Sequence, residues 1–221
     1  MIKVVQNDSK VPAGLYGDYL DRQGLSWELL PLDRDIPFPA PAAGDALIVL
    51  GGYMSAHDTG RYPYLRQVKA GLRRWVEAER PVLGVCLGGQ LLADAMGGTV
   101  TRNSRGERGM LPIDLTPAGQ SDPLFDGIPS PFLSMQWHND SFDLPPGALQ
   151  LAATETCPGQ AFRIGKAGYG VQFHPELTAA IVKVWSDKLG LGGRYLKEFI
   201  SREASYREYS LKLLQNFLEF A

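Results

Sequence analysis

The sequence predicts an α/β fold with a mostly parallel central sheet wrapped by helices. Two observations support this prediction. Short apolar runs alternate with stretches of helical periodicity in the first half of the chain, a pattern typical of parallel strands joined by crossover helices. One run, Ala-Leu-Ile-Val-Leu at residues 46–50, is apolar throughout, as in a strand that is buried on both faces.

The elements of the first half can be assigned in order. The strand-like runs are short and mostly apolar, and they span residues 2–6, 26–30, 46–50 and 82–85. Apolar residues recur at helical spacing over residues 15–23, 65–76 and 90–96. Residues 31–43 contain four prolines and are too irregular for a helix or a strand.

The second half predicts added antiparallel strands and a C-terminal helical tail. Short strand-like pieces lie between Gly and Pro loops, at residues 110–115, 149–153, 161–164 and 170–173. Helical spacing returns at residues 181–188 and 206–220. No repeat or linker interrupts the chain. We therefore expect a single domain over residues 1–221, with a core over about 2–185 and a helical extension over about 186–221.

The composition excludes several classes of protein. Lysine plus arginine total 22 and aspartate plus glutamate total 24, so the formal charge is −2, which argues against a nucleic-acid-binding protein. A hydrophobic content of 44% argues against disorder. No apolar run approaches the roughly 20 residues of a membrane helix, and residues 1–10 do not resemble a signal peptide. We expect a cytoplasmic protein with no membrane partner.

The cysteines do not form a recognisable framework. Cys86 and Cys157 are the only two in the chain and lack paired spacing, so neither a zinc site nor a disulfide is expected. No glycine-rich phosphate loop followed by Lys-Ser or Lys-Thr is present. The sequence predicts no metal and no cofactor.

Residues 84–90, Gly-Val-Cys-Leu-Gly-Gly-Gln, place Cys86 where a buried strand turns sharply into a helix. This arrangement is a nucleophile elbow with Cys in place of Ser. Small residues at 84 and 88 permit the tight turn, and the N-terminus of the following helix favours the thiolate. The alternative interpretation is that Cys86 is a buried small residue at the end of a strand.

Residues 173–176, Phe-His-Pro-Glu, supply a base and a group that can orient it. Pro175 favours an extended conformation at His174, and positions i and i+2 of an extended segment share a face. Glu176 can therefore hold the tautomer of His174. A hydrogen-bonded structural histidine is the alternative interpretation.

Together these two motifs resemble the class I (triad) glutamine amidotransferases, with an order similar to that of the glutaminase domain of GMP synthetase. The resemblance covers about residues 2–185 and implies a flavodoxin-like fold. It implies a catalytic triad of Cys86, His174 and Glu176 that hydrolyses the side-chain amide of glutamine through a γ-glutamyl thioester. The backbone N–H groups of Gly52 and Leu87 would form the oxyanion hole.

The resemblance also implies a substrate-binding segment at residues 137–140, with Trp137, Asn139 and Gln90 near the amino-acid end of glutamine. Gln90 is alternatively a structural cap, and His138 is expected to be structural. Trp137 and Asn139 stand where the family commonly has small residues, and Tyr53-Met54 stand where it usually has a proline. These departures predict a reshaped pocket.

Other polar residues carry weaker expectations. Arg102, Arg105 and Arg108 are expected to be a solvated basic loop, with docking of a partner or a carboxylate as the alternative. His57 with Asp58 is expected to be an ordinary loop pair rather than a border of the pocket. No role is predicted for Cys157.

Three functions remain open. The first is a glutamine amidotransferase subunit that releases ammonia for a separate synthetase subunit, since 221 residues leave no room for a synthetase domain. The second is a γ-glutamyl hydrolase or peptidase that uses the same triad on a larger γ-glutamyl substrate. The third, disfavoured by the complete triad, is a non-catalytic regulatory module.

Overall fold

A computed structural model describes residues 1–34 and 36–220. The strands are β1 Ile2–Gln6, β2 Trp27–Pro31, β3 Ala46–Val49, β4 Val82–Val85, β5 Val100–Thr101, β6 Glu107–Leu115, β7 Phe132–His138, β8 Ser141–Phe142, β9 Leu149–Ala153, β10 Ala161–Ile164 and β11 Gly168–Val171. The helices are α1 Gly14–Arg22, α2 Tyr64–Glu77, α3 Leu87–Ala95, α4 Pro117–Gln120, α5 Ala179–Lys188 and α6 Arg194–Leu218.

One mixed sheet organises the chain, with the strand order β2-β1-β3-β4-β11-β10-β9-β6-β7. Neighbouring strands from β2 to β11 are parallel, and each pairing from β11 to β7 is antiparallel. Strands β5 and β8 form a separate short antiparallel pair. The predicted α/β fold, with added antiparallel strands and a C-terminal helix, is confirmed.

Apolar cores cover both faces of the sheet. Tyr16 of α1 and Phe217 of α6 belong to one core, and Leu72 of α2 and Leu91 of α3 belong to the other. In α2 the apolar positions of the predicted helix are buried, because they repeat on the face that turns toward the sheet. The third core, which includes Trp137 and Trp185, joins β7 to α5 and α6.

Several element boundaries differ from those predicted. Helix α3 begins at Leu87 rather than at residue 90, and β11 ends at Val171 rather than at residue 173. Strand β7 was not predicted, because polar Ser134 and Gln136 interrupt its apolar pattern although both are buried. The irregular stretch at 31–43 includes Asp35, which is outside the described residues, and contains a short 3-10 turn at Leu32–Arg34.

Helix α6 is longer than the periodicity predicts. It begins at Arg194 rather than at residue 206, and only Phe199 is buried in its first two turns. Its second half buries Tyr206, Leu213, Leu214 and Phe217, all within the helical spacing predicted at residues 206–220. None of the helices in the described ranges is long and apolar enough to cross a membrane.

The parallel strands bring four loops to one edge of the sheet. Asn7 follows β1, Gly52 lies beyond β3, Cys86 follows β4 and His174 lies beyond β11. In open α/β sheets, ligands bind in the crevice at this carboxyl edge. The fold therefore gathers most of the predicted site residues at the edge where a site is expected.

Candidate active site

Cys86 occupies the sharp turn between β4 and α3. Its backbone has φ 51° and ψ −107°, a left-handed conformation that is rare for a residue with a side chain. The Cys86 N–H donates to Val171 O at 2.8 Å, which ties the turn to β11. This strained strand-to-helix turn is the geometry of the predicted elbow, and the residue is 6% exposed.

The glycines around Cys86 are required by close backbone contacts. A Cβ on Gly88 would lie 2.0 Å from Val49 O, and one on Gly84 would lie 2.5 Å from Gly88 O. Neither position has room for a methyl group, since the atoms it would meet belong to the backbone and cannot swing aside. The glycines therefore let α3 begin directly against β3 and β4.

We expect Gly88→Ala to lower the free energy of unfolding by about 3 kcal/mol, because the added methyl group must push the β3 backbone away. Urea denaturation followed by circular dichroism measures this loss. Gly60→Ala is the matched control, since a Cβ there meets nothing within 4 Å. Equal midpoints for the two variants would contradict the packing argument.

His174 lies between Cys86 and Glu176. Its Nδ1 lies 2.7 Å from Glu176 Oε1, and its ring lines the same small cleft as the side chain of Cys86. His174 is 2% exposed and Glu176 is fully buried. Within the described ranges, the Glu176 carboxylate accepts a hydrogen bond from His174 alone. The structure thus brings the three predicted catalytic residues together.

The environment of His174 favours its charged form. Burial opposes the imidazolium, but the negative charge of Glu176 and the interactions with Cys86 outweigh burial and raise the pKa of His174 well above its usual value. An imidazolium held between a carboxylate and a sulfur can donate a proton to a leaving group.

We expect Glu176→Gln to lower kcat by about 10- to 10³-fold, because an orienting carboxylate contributes less than the base itself. Loss of its charge also lowers the pKa of His174. The imidazolium is lost as pH rises through that pKa, so the alkaline limb of kcat/KM should move to lower pH. Glu155→Gln, at an exposed position, should leave the profile in place. An unmoved limb in Glu176→Gln would refute the role of this charge.

Helices α1 and α6 fix the backbone of the His-Pro-Glu segment. Tyr206 Oη donates to His174 O at 2.8 Å and accepts from Leu177 N at 2.8 Å, and Leu15 N donates to Glu176 O at 2.7 Å. The His174 N–H donates to Met135 O of β7 at 2.8 Å. The predicted helical extension therefore contributes directly to the site through Tyr206.

The two predicted oxyanion-hole residues lie next to each other. Leu87 is the first residue of α3, so its N–H has no intrahelical acceptor. A Cβ on Gly52 would lie 2.7 Å from Leu87 Cδ2, and Gly52 lines the same cavity as Cys86. Both backbone positions border the thiol.

A cavity of about 350 Å³ opens above Cys86. Its lining includes the predicted residues Gly52, Cys86, Gln90, Trp137 and Asn139. A smaller adjoining cleft brings His174 to Cys86 from the side of Trp185. The cavity falls within the 300–1,000 Å³ range of small-molecule sites.

Gln90 links two parts of the site. Its Nε2 donates to Asp140 O at 3.0 Å and to Gln172 Oε1 at 3.3 Å, and the residue is 3% exposed. Because α3 begins at Leu87, Gln90 is not its N-cap. It instead ties the segment at residues 137–140 to the end of β11.

A buried polar network supports the same segment from behind. His138 Nδ1 lies 3.0 Å from Asp140 O and its Nε2 lies 3.4 Å from Glu107 Oε2, in agreement with the expected structural role. Glu107 also accepts from Gln160 Nε2 at 2.5 Å.

Cys157 lies beside this network. The ligating atoms of Glu107, His138 and Cys157 fall within 4.8 Å of one another. Burial and the charge of Glu107 raise the pKa of Cys157 to about 11. The thiol is therefore protonated at neutral pH, and Glu107 is already engaged by hydrogen bonds.

The three arginines do not share one environment. Arg102 pairs with Asp58, and Arg105 pairs with Asp143 at 2.8 Å, both at exposed positions. Arg108 is half-buried on β6 and lines the cavity, so the expectation of a solvated loop is wrong for this residue. Strand β7, which the sequence pattern does not predict, explains the difference, because its register pairs Arg108 with Trp137.

The expectation that His57 and Asp58 form an ordinary loop pair is wrong for Asp58. Asp58 lines the cavity, whereas His57 Nε2 lies 2.7 Å from Val100 O.

Trp185 packs on His174 with ring centroids 5.2 Å apart. Tyr53 meets Trp185 at 6.0 Å, and Lys188 Nζ lies 3.8 Å from the Tyr53 ring centroid. Tyr53 thus forms part of an aromatic wall.

Known proteins resemble the chain in both sequence and structure. The family model for glutamine amidotransferase class-I matches residues 16–181. A glutamine amidotransferase-like protein of Salmonella typhimurium, YfeJ, is 32% identical over 224 residues, covering 98% of this chain and 93% of YfeJ. A crystal structure of a glutamine amidotransferase from Thermotoga maritima has 27% identity and a TM-score of 0.88, covering 99% of this chain and 97% of that one.

GMP synthases are also among the relatives. One subunit of the glutamine-hydrolyzing GMP synthase of Thermococcus kodakarensis is 38% identical over 133 residues, covering 59% of this chain and 66% of that relative. The chain spans only 32% of the GMP synthase of Thermosipho africanus, at 35% identity over 185 residues and 82% of this chain. Since the family model covers most of the chain, the protein belongs to the class I glutamine amidotransferases.

Proposed function

We propose that the protein hydrolyses the side-chain amide of glutamine through Cys86, His174 and Glu176, releasing glutamate and ammonia. The observation that carries the proposal is the hydrogen bond between His174 and Glu176 next to a thiol on a strained elbow, beside a cavity of suitable size. A nucleophile, a base and an orienting carboxylate in this order are what covalent amide hydrolysis requires.

In the first half of the proposed reaction, the Cys86 thiolate attacks the amide carbon of glutamine. The carbonyl oxygen becomes an oxyanion that accepts hydrogen bonds from the N–H groups of Gly52 and Leu87. The imidazolium of His174 gives its proton to the amide nitrogen as the carbon–nitrogen bond breaks. Ammonia departs, and a γ-glutamyl thioester on Cys86 remains.

In the second half, water hydrolyses the thioester. Neutral His174 takes a proton from the attacking water, and the same oxyanion hole stabilises the second tetrahedral intermediate. The carbon–sulfur bond then breaks, glutamate leaves, and the thiolate and imidazolium are restored. Glu176 keeps the imidazole oriented through both halves.

A larger γ-glutamyl substrate is the second candidate. The cavity lining includes Arg102 and Asn103 in addition to the segment at residues 137–140 that the family resemblance connects with the amino-acid end of glutamine. A γ-glutamyl hydrolase or peptidase would use the same thioester chemistry and release a larger amine. The geometry of the triad is equally suited to both leaving groups.

We also propose that the released ammonia passes to a separate synthetase subunit. This proposal draws on relatives whose names describe one subunit of a glutamine-hydrolyzing GMP synthase. A synthetase subunit that raises the glutaminase rate of this chain would identify the acceptor of ammonia, because partner binding can complete a catalytic site.

The test is a substrate panel assayed for glutamate release, comprising glutamine, γ-glutamyl peptides, glutathione and folylpolyglutamate. Turnover of glutamine above the other compounds supports the first function, and preference for a larger compound supports the second. A low glutamine rate that rises with an added synthetase subunit supports the partner proposal. Failure to cleave every compound, alone and with the partner, would overturn the proposed hydrolysis.

A further inference from the structure

Among the residues that the structure describes, the candidate active site contains a cation without a counter-ion. Arg108 lines the cavity with Cys86 and Trp137. No carboxylate in residues 1–34 and 36–220 forms an ion pair with its guanidinium, and its buried Nε has no hydrogen-bond acceptor there. Burying such a donor without a partner is costly. Because the Nε has almost no accessible surface, a ligand in the cavity would approach the Nη groups and supply the missing countercharge.

The sheet register places Arg108 beside Trp137. Arg108 on β6 is the partner of Trp137 on β7, and its Cζ lies 5.2 Å from the centre of the Trp137 ring. Trp137 is itself packed against Tyr195 at 5.4 Å and Trp185 at 5.8 Å between ring centroids. A cation–π contact at this distance does not use the N–H donors of the guanidinium, which stay available to an anion.

The neighbouring arginines are already neutralised. Arg102, which also lines the cavity, pairs with Asp58, and Arg105 pairs with Asp143. Of these three arginines, Arg108 is thus the one whose guanidinium has no ion-pair partner in the described ranges and can bind an anion. A planar guanidinium fork matches a carboxylate through two parallel hydrogen bonds.

We propose that Arg108 binds a carboxylate of the substrate. The proposal rests on the proposed function, which places a γ-glutamyl compound in this cavity. Such compounds offer two carboxylates of the same chemistry. One is the α-carboxylate of the glutamyl unit, and the other is a carboxylate on the amine side of the scissile amide, as in a γ-glutamyl peptide.

The test compares Arg108→Gln with the matched control Arg105→Gln on two pairs of substrates. Glutamine and its α-amide differ in the α-carboxylate, and γ-glutamylglycine and γ-glutamylmethylamide differ in the carboxylate on the amine side. In Arg108→Gln we expect kcat/KM to fall by about 10- to 100-fold for the carboxylate member of one pair, mainly through KM. The amide member should be unchanged, and Arg108→Lys should recover part of the loss.

The pair whose discrimination collapses identifies the carboxylate, and either result supports the proposal. Unchanged discrimination in both pairs, while glutamate release continues, would overturn the role of Arg108 and leave the proposed hydrolysis intact. Calorimetric Kd values of the same compounds for Cys86→Ala, with and without Arg108→Gln, test carboxylate binding without turnover. An Arg108 effect is then detectable even if no compound is hydrolysed, and equal Kd values would overturn it.

Discussion

Cys86→Ala is expected to abolish glutamate release, with a fall in kcat of roughly 10⁴- to 10⁶-fold. In the proposed reaction the thiolate forms the bond on which both halves depend, and no other side chain in the described part of the cavity lining is a thiol. Without it, the oxyanion hole and substrate binding supply only residual catalysis. The measurement is glutamate release by purified protein, together with intact-mass detection of the γ-glutamyl adduct on the wild type.

Cys157→Ala is the matched control, because Cys157 is the other cysteine of the chain and lies outside the cavity lining. It should keep the wild-type rate at a cost in stability of about 1 kcal/mol for the small void it leaves. Turnover that survives Cys86→Ala, or an adduct that maps to Cys157, would remove Cys86 as the nucleophile.

His174→Ala is expected to lower kcat by roughly 10³- to 10⁵-fold. Two functions are lost at once, because a cysteine with no base beside it is mostly thiol at neutral pH and the leaving ammonia has no proton donor. Alkylation of Cys86 by iodoacetamide should also slow at neutral pH. Alkylation reports on the thiolate itself, so it separates the loss of a base from a general structural defect.

His57→Ala is the control for His174, since His57 contacts Val100 O and does not line the cavity. We expect its kcat and its alkylation rate to equal those of the wild type. If His174→Ala retained full activity, another residue would have to act as the base, and the hydrogen bond between His174 and Glu176 would be structural only.

Parts of the site that depend on contiguous residues could be predicted from the sequence. The elbow at Cys86 follows from small residues on both sides of a strand-to-helix junction, because backbone clearance at Gly84 and Gly88 is a local requirement. The proximity of His174 to Glu176 follows from the extended conformation that Pro175 imposes. Such features need no knowledge of which strands are neighbours.

Features that depend on strand register could not be predicted. Strand β7 lacks the apolar pattern of a buried strand, because a polar residue occupies a core position. Gln136 is buried there and its Nε2 donates to Gln160 Oε1 at 2.8 Å. Without β7, the pairing of Arg108 with Trp137 cannot be predicted from the sequence, and Arg108 resembles its exposed neighbours Arg102 and Arg105. The contribution of Tyr206 was missed for the same reason, since a helix stripe does not tell which backbone it will contact.

The α/β fold and the identities of Cys86, His174 and Glu176 follow from the amino-acid sequence, because periodicity, glycine placement and proline act over a few residues. Three arrangements emerge only from the folded chain. His174 and Cys86 line one cleft, Gln90 Nε2 donates to Asp140 O, and Arg108 lines the cavity with no ion-pair partner in the described ranges. These arrangements join residues far apart in the chain. They depend on sheet order and register, which are set by the packing of the whole core rather than by any local segment.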